Sequence, residues 1–116
     1  MLNVGVDIIA INRIDSILNS KRQDRFLDKI FSDKEIAESE KKTNKSQYFS
    51  GRFAAKEAIK KALSSYDKTA DSSFKSIEVL NSSSGKPYVA SKSNQDINIS
   101  ISHDGNYAVA FCVIGK

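Results

Sequence analysis

The stretch RFAAKEAIKKAL, residues 52–63, decides how this chain is read. Alanine, leucine, lysine and glutamate are strong helix formers, and Phe49, Phe53, Ile59, Ala62 and Leu63 recur at helical spacing. The pattern predicts a long helix from about Ser46 to Ser64 with one apolar face. Phe49 and Phe53 lie four apart on one row, and the next member of that row is Glu57. A carboxylate there sits at the edge of the buried stripe and requires a reason.

Upstream, VGVDII at residues 4–9 alternates Val4, Val6 and Ile8 with Gly5, Asp7 and Ile9, as a strand does. Aspartate is depleted in strands, so Asp7 is the second misplaced carboxylate. Ile11, Ile14, Ile17 and Leu18, then Phe26, Leu27 and Ile30, predict two short helices around the charged break KRQD. Ser32 with Glu35 three residues on is a capping box opening a polar helix through about Lys42, expected at the surface. Downstream, SSYDKTADSS at 64–73 reads as a mobile loop. Strands follow in KSIEVL, in PYVA after a GKP turn, and in INISISH, and Asp104-Gly105 is a hairpin signal leading to NYAVAFCVI. That last strand is apolar on both faces and belongs at the centre of a sheet. The order predicts an α+β fold, with a mainly antiparallel sheet packed against the long helix.

The 116 residues form one domain in this reading, spanning 1–116, long enough to bury a core without covalent staples. Apolar residues at 40% and charged residues at 28% exclude a disordered chain. The single cysteine, Cys112, excludes an internal disulfide and fits a reducing, cytoplasmic setting. The apolar N-terminus has no basic leader and carries Asp7, so neither a signal peptide nor a membrane span is expected. A net charge of +4 permits an anionic partner without naming one.

If the helix packs on the sheet, Asp7 and Glu57 can converge, and two carboxylates with open positions suit Mg²⁺, a hard cation completed by water and phosphate oxygens. The alternative is that Asp7 pairs locally while Glu57 bonds Lys60 or Lys61 along the helix. His103, the one histidine, ends the Ile97–Ile99–Ile101 face, where a structural role competes with phosphate contact. Gly85-Lys86-Pro87 is a turn first. No GxxxxGK loop, CxxC pair or Ser-His-Asp order occurs.

Four segments, in order and over nearly the whole chain, carry a resemblance: VGVDII with Arg13 after it, GRFAAKEAIKKAL at 51–63, GKP at 85–87, and SISH at 100–103 followed by YAVA. Together they resemble the holo-[acyl-carrier-protein] synthases, the small bacterial branch of the phosphopantetheinyl transferases. The resemblance implies transfer of the 4′-phosphopantetheine arm of coenzyme A to a serine of an apo acyl carrier protein in fatty acid biosynthesis. It implies use of Mg²⁺, and a homotrimer with active sites at subunit interfaces. Carried over by position, Asp7 and Glu57 hold the metal and Lys61 faces the coenzyme A phosphates. From the neighbouring subunit, Gly85, Lys86, Pro87 and His103 line the nucleotide side. Arg13, Arg22, Arg25 and Phe26 lie on the helix face that receives the acidic carrier protein.

The chemistry suits these residue types. Attack on a pyrophosphate builds charge on oxygen, which a metal and lysines neutralise with no covalent intermediate. Two departures stand out. Glycines common in the family after the KAL segment are replaced by Ser64, Ser65, Tyr66 and Asp67, where the hydroxyls of Ser64 or Ser65 substitute; Ile9 stands where larger relatives have a further carboxylate. Two other classes compete: a small basic nucleic-acid-binding domain and an inactive interaction module. Against the first, acids are mixed through the basic segments and the strands lack a paired aromatic platform. Against the second, Asp7, Glu57 and Lys61 are all retained.

Overall fold

A computed structural model describes residues 2–66, 73–90 and 96–115. Strand β1 (Asn3–Ala10) leads into helices α1 (Ile11–Leu18), α2 (Gln23–Ile30), α3 (Asp33–Ser39) and the long α4 (Lys45–Tyr66). Strands β2 (Val79–Asn81), β3 (Pro87–Val89), β4 (Asp96–Asp104) and β5 (Tyr107–Gly115) follow. The expected α+β fold is found, with α4 within two residues of its expected bounds. Most of the expected loop at 64–73 lies outside the described residues.

The main sheet is antiparallel in the order β1-β5-β4, so the strand with two apolar faces is central, while β2 and β3 form a separate antiparallel pair. Its inner face carries Ile9, Ala110, Cys112 and Ile114 against α4, where Ala55, Ala58, Ile59 and Ala62 are buried. Alanine and glycine set the spacing. A Cβ on Gly5 would stand 2.0 Å from the Ala58 carbonyl oxygen, so β1 and α4 meet backbone to backbone. The apolar residues of β1 face the other way: Val4, Val6 and Ile8 point outward, all more than half exposed, while Gly5, Asp7 and Ile9 face the helix. Phe111 on β5, paired in register with Val6, and Tyr107 are exposed on that same outer face.

The β4–β5 turn places Gly105 and Asn106 between the paired Asp104 and Tyr107, with Gly105 at φ +56°. A glycine at the first central position followed by a residue with negative φ is the pattern of a type II′ hairpin. The turn also completes α1, which has no capping side chain of its own. The Ile11 and Asn12 N–H groups donate to the Asn106 backbone and side-chain oxygens at 2.7 and 2.9 Å.

The capping box of Ser32 and Glu35 is present, but α3 is not the solvated helix its composition suggests. Glu35 is fully buried, in an ion pair of 2.7 Å with Lys56 of α4, itself fully buried. Lys56 also donates to the carbonyls of Phe74 and Ile77, and Glu35 accepts from the N–H groups of Ser32 and Val79. Burial lowers the Lys56 pKa against the pull of Glu35. The pair satisfies its polar atoms across α3, α4 and the approach to β2, which makes desolvated charges tolerable. It also shortens β2: the strand expected over KSIEVL begins only at Val79, because the Phe74 and Ile77 carbonyls accept from Lys56 rather than a ladder.

Candidate functional site

Asp7 is carried on the inner face of β1, beside the flank of α4 that bears Glu57 and Lys61 one turn apart. Its side chain is 15% exposed, and Oδ1 accepts from Lys61 Nζ at 3.1 Å. Lys61 Nζ also donates to the Val6 carbonyl at 3.2 Å. Asp7 Oδ2 is buried and has no hydrogen-bond partner among the described residues. An unsatisfied buried carboxylate oxygen is costly, so something outside the chain is expected to meet it.

Helix packing puts Glu57 at the level of Asp7. Gly5 of β1 lies against Ala58 and Ala62, whereas Gly51 lies against Ile101 and His103, whose rows in the sheet contain Asp7 and Ile9. The strand and the helix therefore run in opposite senses, and the turn of α4 that carries Glu57, between Gly51 and Ala58, passes the strand near Asp7. Two hard-oxygen donors, one with an orphaned oxygen and a cationic neighbour, make a donor set that fits Mg²⁺.

A second cluster occupies the opposite edge of the sheet, where β4 meets α4 and the β2–β3 turn. A cleft of about 290 Å³ is lined by Gly51, Arg52, Gly85, Pro87, Ile101 and His103, with Lys42, Asn44 and Tyr48 at its margin. Gly85 reaches it in a turn with φ +87°, a conformation that favours glycine. Lys86 is exposed and fixes that turn by its carbonyl, which accepts from Ser82 N–H at 2.8 Å. Thus Asp7 and Lys61 meet on one side, with Glu57 one turn from Lys61 along α4, and Gly85, Pro87 and His103 lie on the other, with β5 between.

Ser64 is exposed, and its hydroxyl donates to the Lys61 carbonyl at 3.1 Å, back along the helix. Arg13, Arg22 and Arg25 are exposed on α1 and at and within the start of α2. Phe26 is half-buried, edge-on to Phe31 and Phe53, so much of its surface serves the core.

Arg52 is the site residue that sequence reasoning missed. It is 6% exposed, stacks over the Tyr48 ring at 4.8 Å, and donates through Nη2 to Glu38 and Asn81 at 3.0 and 2.6 Å. Its Nε is buried without a partner among the described residues. Burial would raise the Glu38 pKa, but hydrogen bonds from Asn81 N–H, Tyr48 and Arg52 hold it below the usual carboxylate value. Burial and the bond to Glu38 push the Tyr48 phenol up. The signal was available: Tyr48, Arg52 and Lys56 form one row at spacing four, a polar row on a helix that must pack.

Fold and site together describe a small enzyme of phosphoryl-group transfer. The family described as the 4′-phosphopantetheinyl transferase superfamily matches residues 3–112, and the chain belongs to it. It is 46% identical over 112 residues to the holo-[acyl-carrier-protein] synthase of Thermodesulfovibrio yellowstonii, covering 96% of both chains. With that of Acholeplasma laidlawii the identity is 42%, over 96% of this chain and 93% of the relative. Among solved structures it is similar to the Bacillus anthracis synthase in complex with coenzyme A (3′,5′-ADP), at TM-score 0.81 and 34% identity, covering 97% of this chain and 94% of that one. The Helicobacter pylori synthase in complex with coenzyme A gives TM-score 0.80 at 30% identity, covering 97% of this chain and 99% of that one.

Proposed function

We propose that this chain transfers the 4′-phosphopantetheine group from coenzyme A to a serine hydroxyl of an apo acyl carrier protein, releasing adenosine 3′,5′-bisphosphate, as a step that equips fatty acid biosynthesis. The observation that carries the reading is Asp7: a carboxylate on an apolar strand, buried at one oxygen with no partner among the described residues and facing a lysine. Its position in a member of this superfamily gives that oxygen a use.

Asp7 and Glu57 would hold Mg²⁺, which when bound supplies positive charge to the pyrophosphate oxygens. Lys61 adds a mobile ammonium at the same place, about half exposed and able to turn from Asp7 toward a phosphate. We assign the serine proton to Glu57, because Asp7 is already committed to the Lys61 ammonium. The cleft with Gly85, Pro87 and His103 takes the nucleotide end of coenzyme A, with Lys86 next to it in the turn, while Ser64, beside Lys61, meets the phosphates from the other cluster. Arg52 and Lys42 give it the positive lining a phosphate requires.

The two clusters lie on opposite edges of the sheet in one chain, which supports a trimer in which Asp7, Glu57 and Lys61 of one subunit meet the cleft of the next. The exposed Val4, Val6, Ile8 and Phe111 are the surface such an assembly covers. Arg13, Arg22 and Arg25 form the face that steers an acidic carrier protein, and a reducing cytoplasm is the setting. Among the described residues no helix is long and apolar enough to cross a membrane.

The test is to combine the protein, coenzyme A and Mg²⁺ with an apo acyl carrier protein and weigh the carrier. A gain equal to the phosphopantetheine group is expected; no gain, with a control transferase active, refutes the reading.

A further inference from the structure

Gly51 and His103 are distant in sequence and touch across the cleft. A Cβ built on Gly51 would stand 2.9 Å from His103 Nε2, closer than real Cβ contacts, and 3.0 Å from Ile101 Cγ2, tighter than most of them. Backbone conformation gives no reason for glycine here, since Gly51 lies inside α4 and its φ is not positive. A glycine in a helix interior is worse than alanine, so the position trades local stability for space.

The space is filled by the imidazole. His103 is an exposed side chain near the end of β4, and no described residue is recorded as hydrogen-bonding its ring. A ring so placed has several rotamers open to it, and contact with the bare backbone at Gly51 selects the one that lines the cleft.

We propose that Gly51 is a positioning residue: its missing side chain is the seat that holds the His103 ring toward the phosphate end of the nucleotide. The proposal rests on the reading of the cleft as the coenzyme A site. Because the ring is the movable end of an exposed side chain, a methyl group at position 51 displaces it, while Ile101 Cγ2 has to give by only a few tenths of an ångström. Preorganisation of a phosphate contact is then lost, and it is the affinity for coenzyme A that falls.

The test compares Gly51→Ala, His103→Ala and the double variant in transfer assays with coenzyme A, Mg²⁺ and apo carrier protein, alongside thermal unfolding. Gly51→Ala is expected to raise KM for coenzyme A on the order of tenfold, the loss of one charge-assisted hydrogen bond. Its kcat changes little and its Tm is equal or higher, a combination that a packing role does not produce. In the His103→Ala background, Gly51→Ala adds nothing; a further loss there means the substrate itself uses the space and overturns the proposal. An unchanged KM in Gly51→Ala overturns it too. His103 is the single histidine, so its ring Hε1 proton gives one assignable NMR signal. That signal shifts in Gly51→Ala if the seat exists, and an unchanged signal refutes the seat. If the signal shifts but His103→Ala leaves KM unchanged, it is the phosphate role of His103 that fails.

Discussion

The two oxygens of Asp7 have different fates: Oδ1 is met by Lys61, while Oδ2 is buried with no partner among the described residues. Removing the carboxylate relieves an unsatisfied group, so Asp7→Ala is expected to leave Tm unchanged or raise it while transfer falls by about 10³-fold. Glu57→Ala is expected to match it in activity, with circular dichroism and unfolding checking that the fold persists. Near-native transfer in either variant refutes its metal role. Lys56 behaves oppositely. It is fully buried against Glu35, and Lys56→Ala leaves that buried carboxyl without its counter-ion, a loss of about 3–5 kcal/mol measurable by urea unfolding. By residue type alone Lys56 and Glu57 look the same, two charges on a helix. Only packing separates them, because periodicity counts apolar residues and cannot tell a paired buried charge from a solvated one.

Among the elements, β1 and α4 were the most legible and depend on each other most. Alternation revealed the strand and alanine spacing the helix, but neither shows that they meet backbone to backbone. That contact belongs to Gly5, whose Cβ would lie 2.0 Å from Ala58 O and 2.9 Å from its carbonyl carbon. Helix backbone cannot yield as a side chain tip can, so Gly5→Ala is expected to cost about 3 kcal/mol or more and to reduce transfer by moving Asp7 away from Glu57. Urea unfolding with stability near that of the unsubstituted protein refutes this close contact. The α3 helix was legible in its start and not in its burial. The Ser32–Glu35 capping box is local chemistry, whereas burial of Glu35 depends on Lys56, twenty-one residues on in the sequence. For the β4–β5 hairpin, the Asp-Gly signal located the turn one residue early, because Asp104 still pairs with Tyr107.

For the molecule as a whole, the outward face of the main sheet is the feature that one chain leaves unexplained. Val6 and Phe111 are paired in register and are 54% and 46% exposed, with Ile8 and Val4 beside them. Strand alternation showed two faces to β1 without saying which one packs; the helix took the glycine face because only that side admits its backbone. If the outer face is the subunit interface, Phe111→Asp places charges where three copies meet. It is expected to run as a monomer in light scattering coupled to size exclusion, to keep its helical content, and to lose transfer. A variant that retains both its size and its activity refutes this interface.

The separation of Asp7 from His103 by the whole width of the sheet means that genetic damage to one cluster and to the other need not fall on the same active site. In the proposed trimer, a chain inactivated at Asp7 and a chain weakened toward coenzyme A at His103 can compensate each other. Asp7→Ala and His103→Ala chains, unfolded together and refolded as mixed assemblies, would regain sites built from one intact half of each.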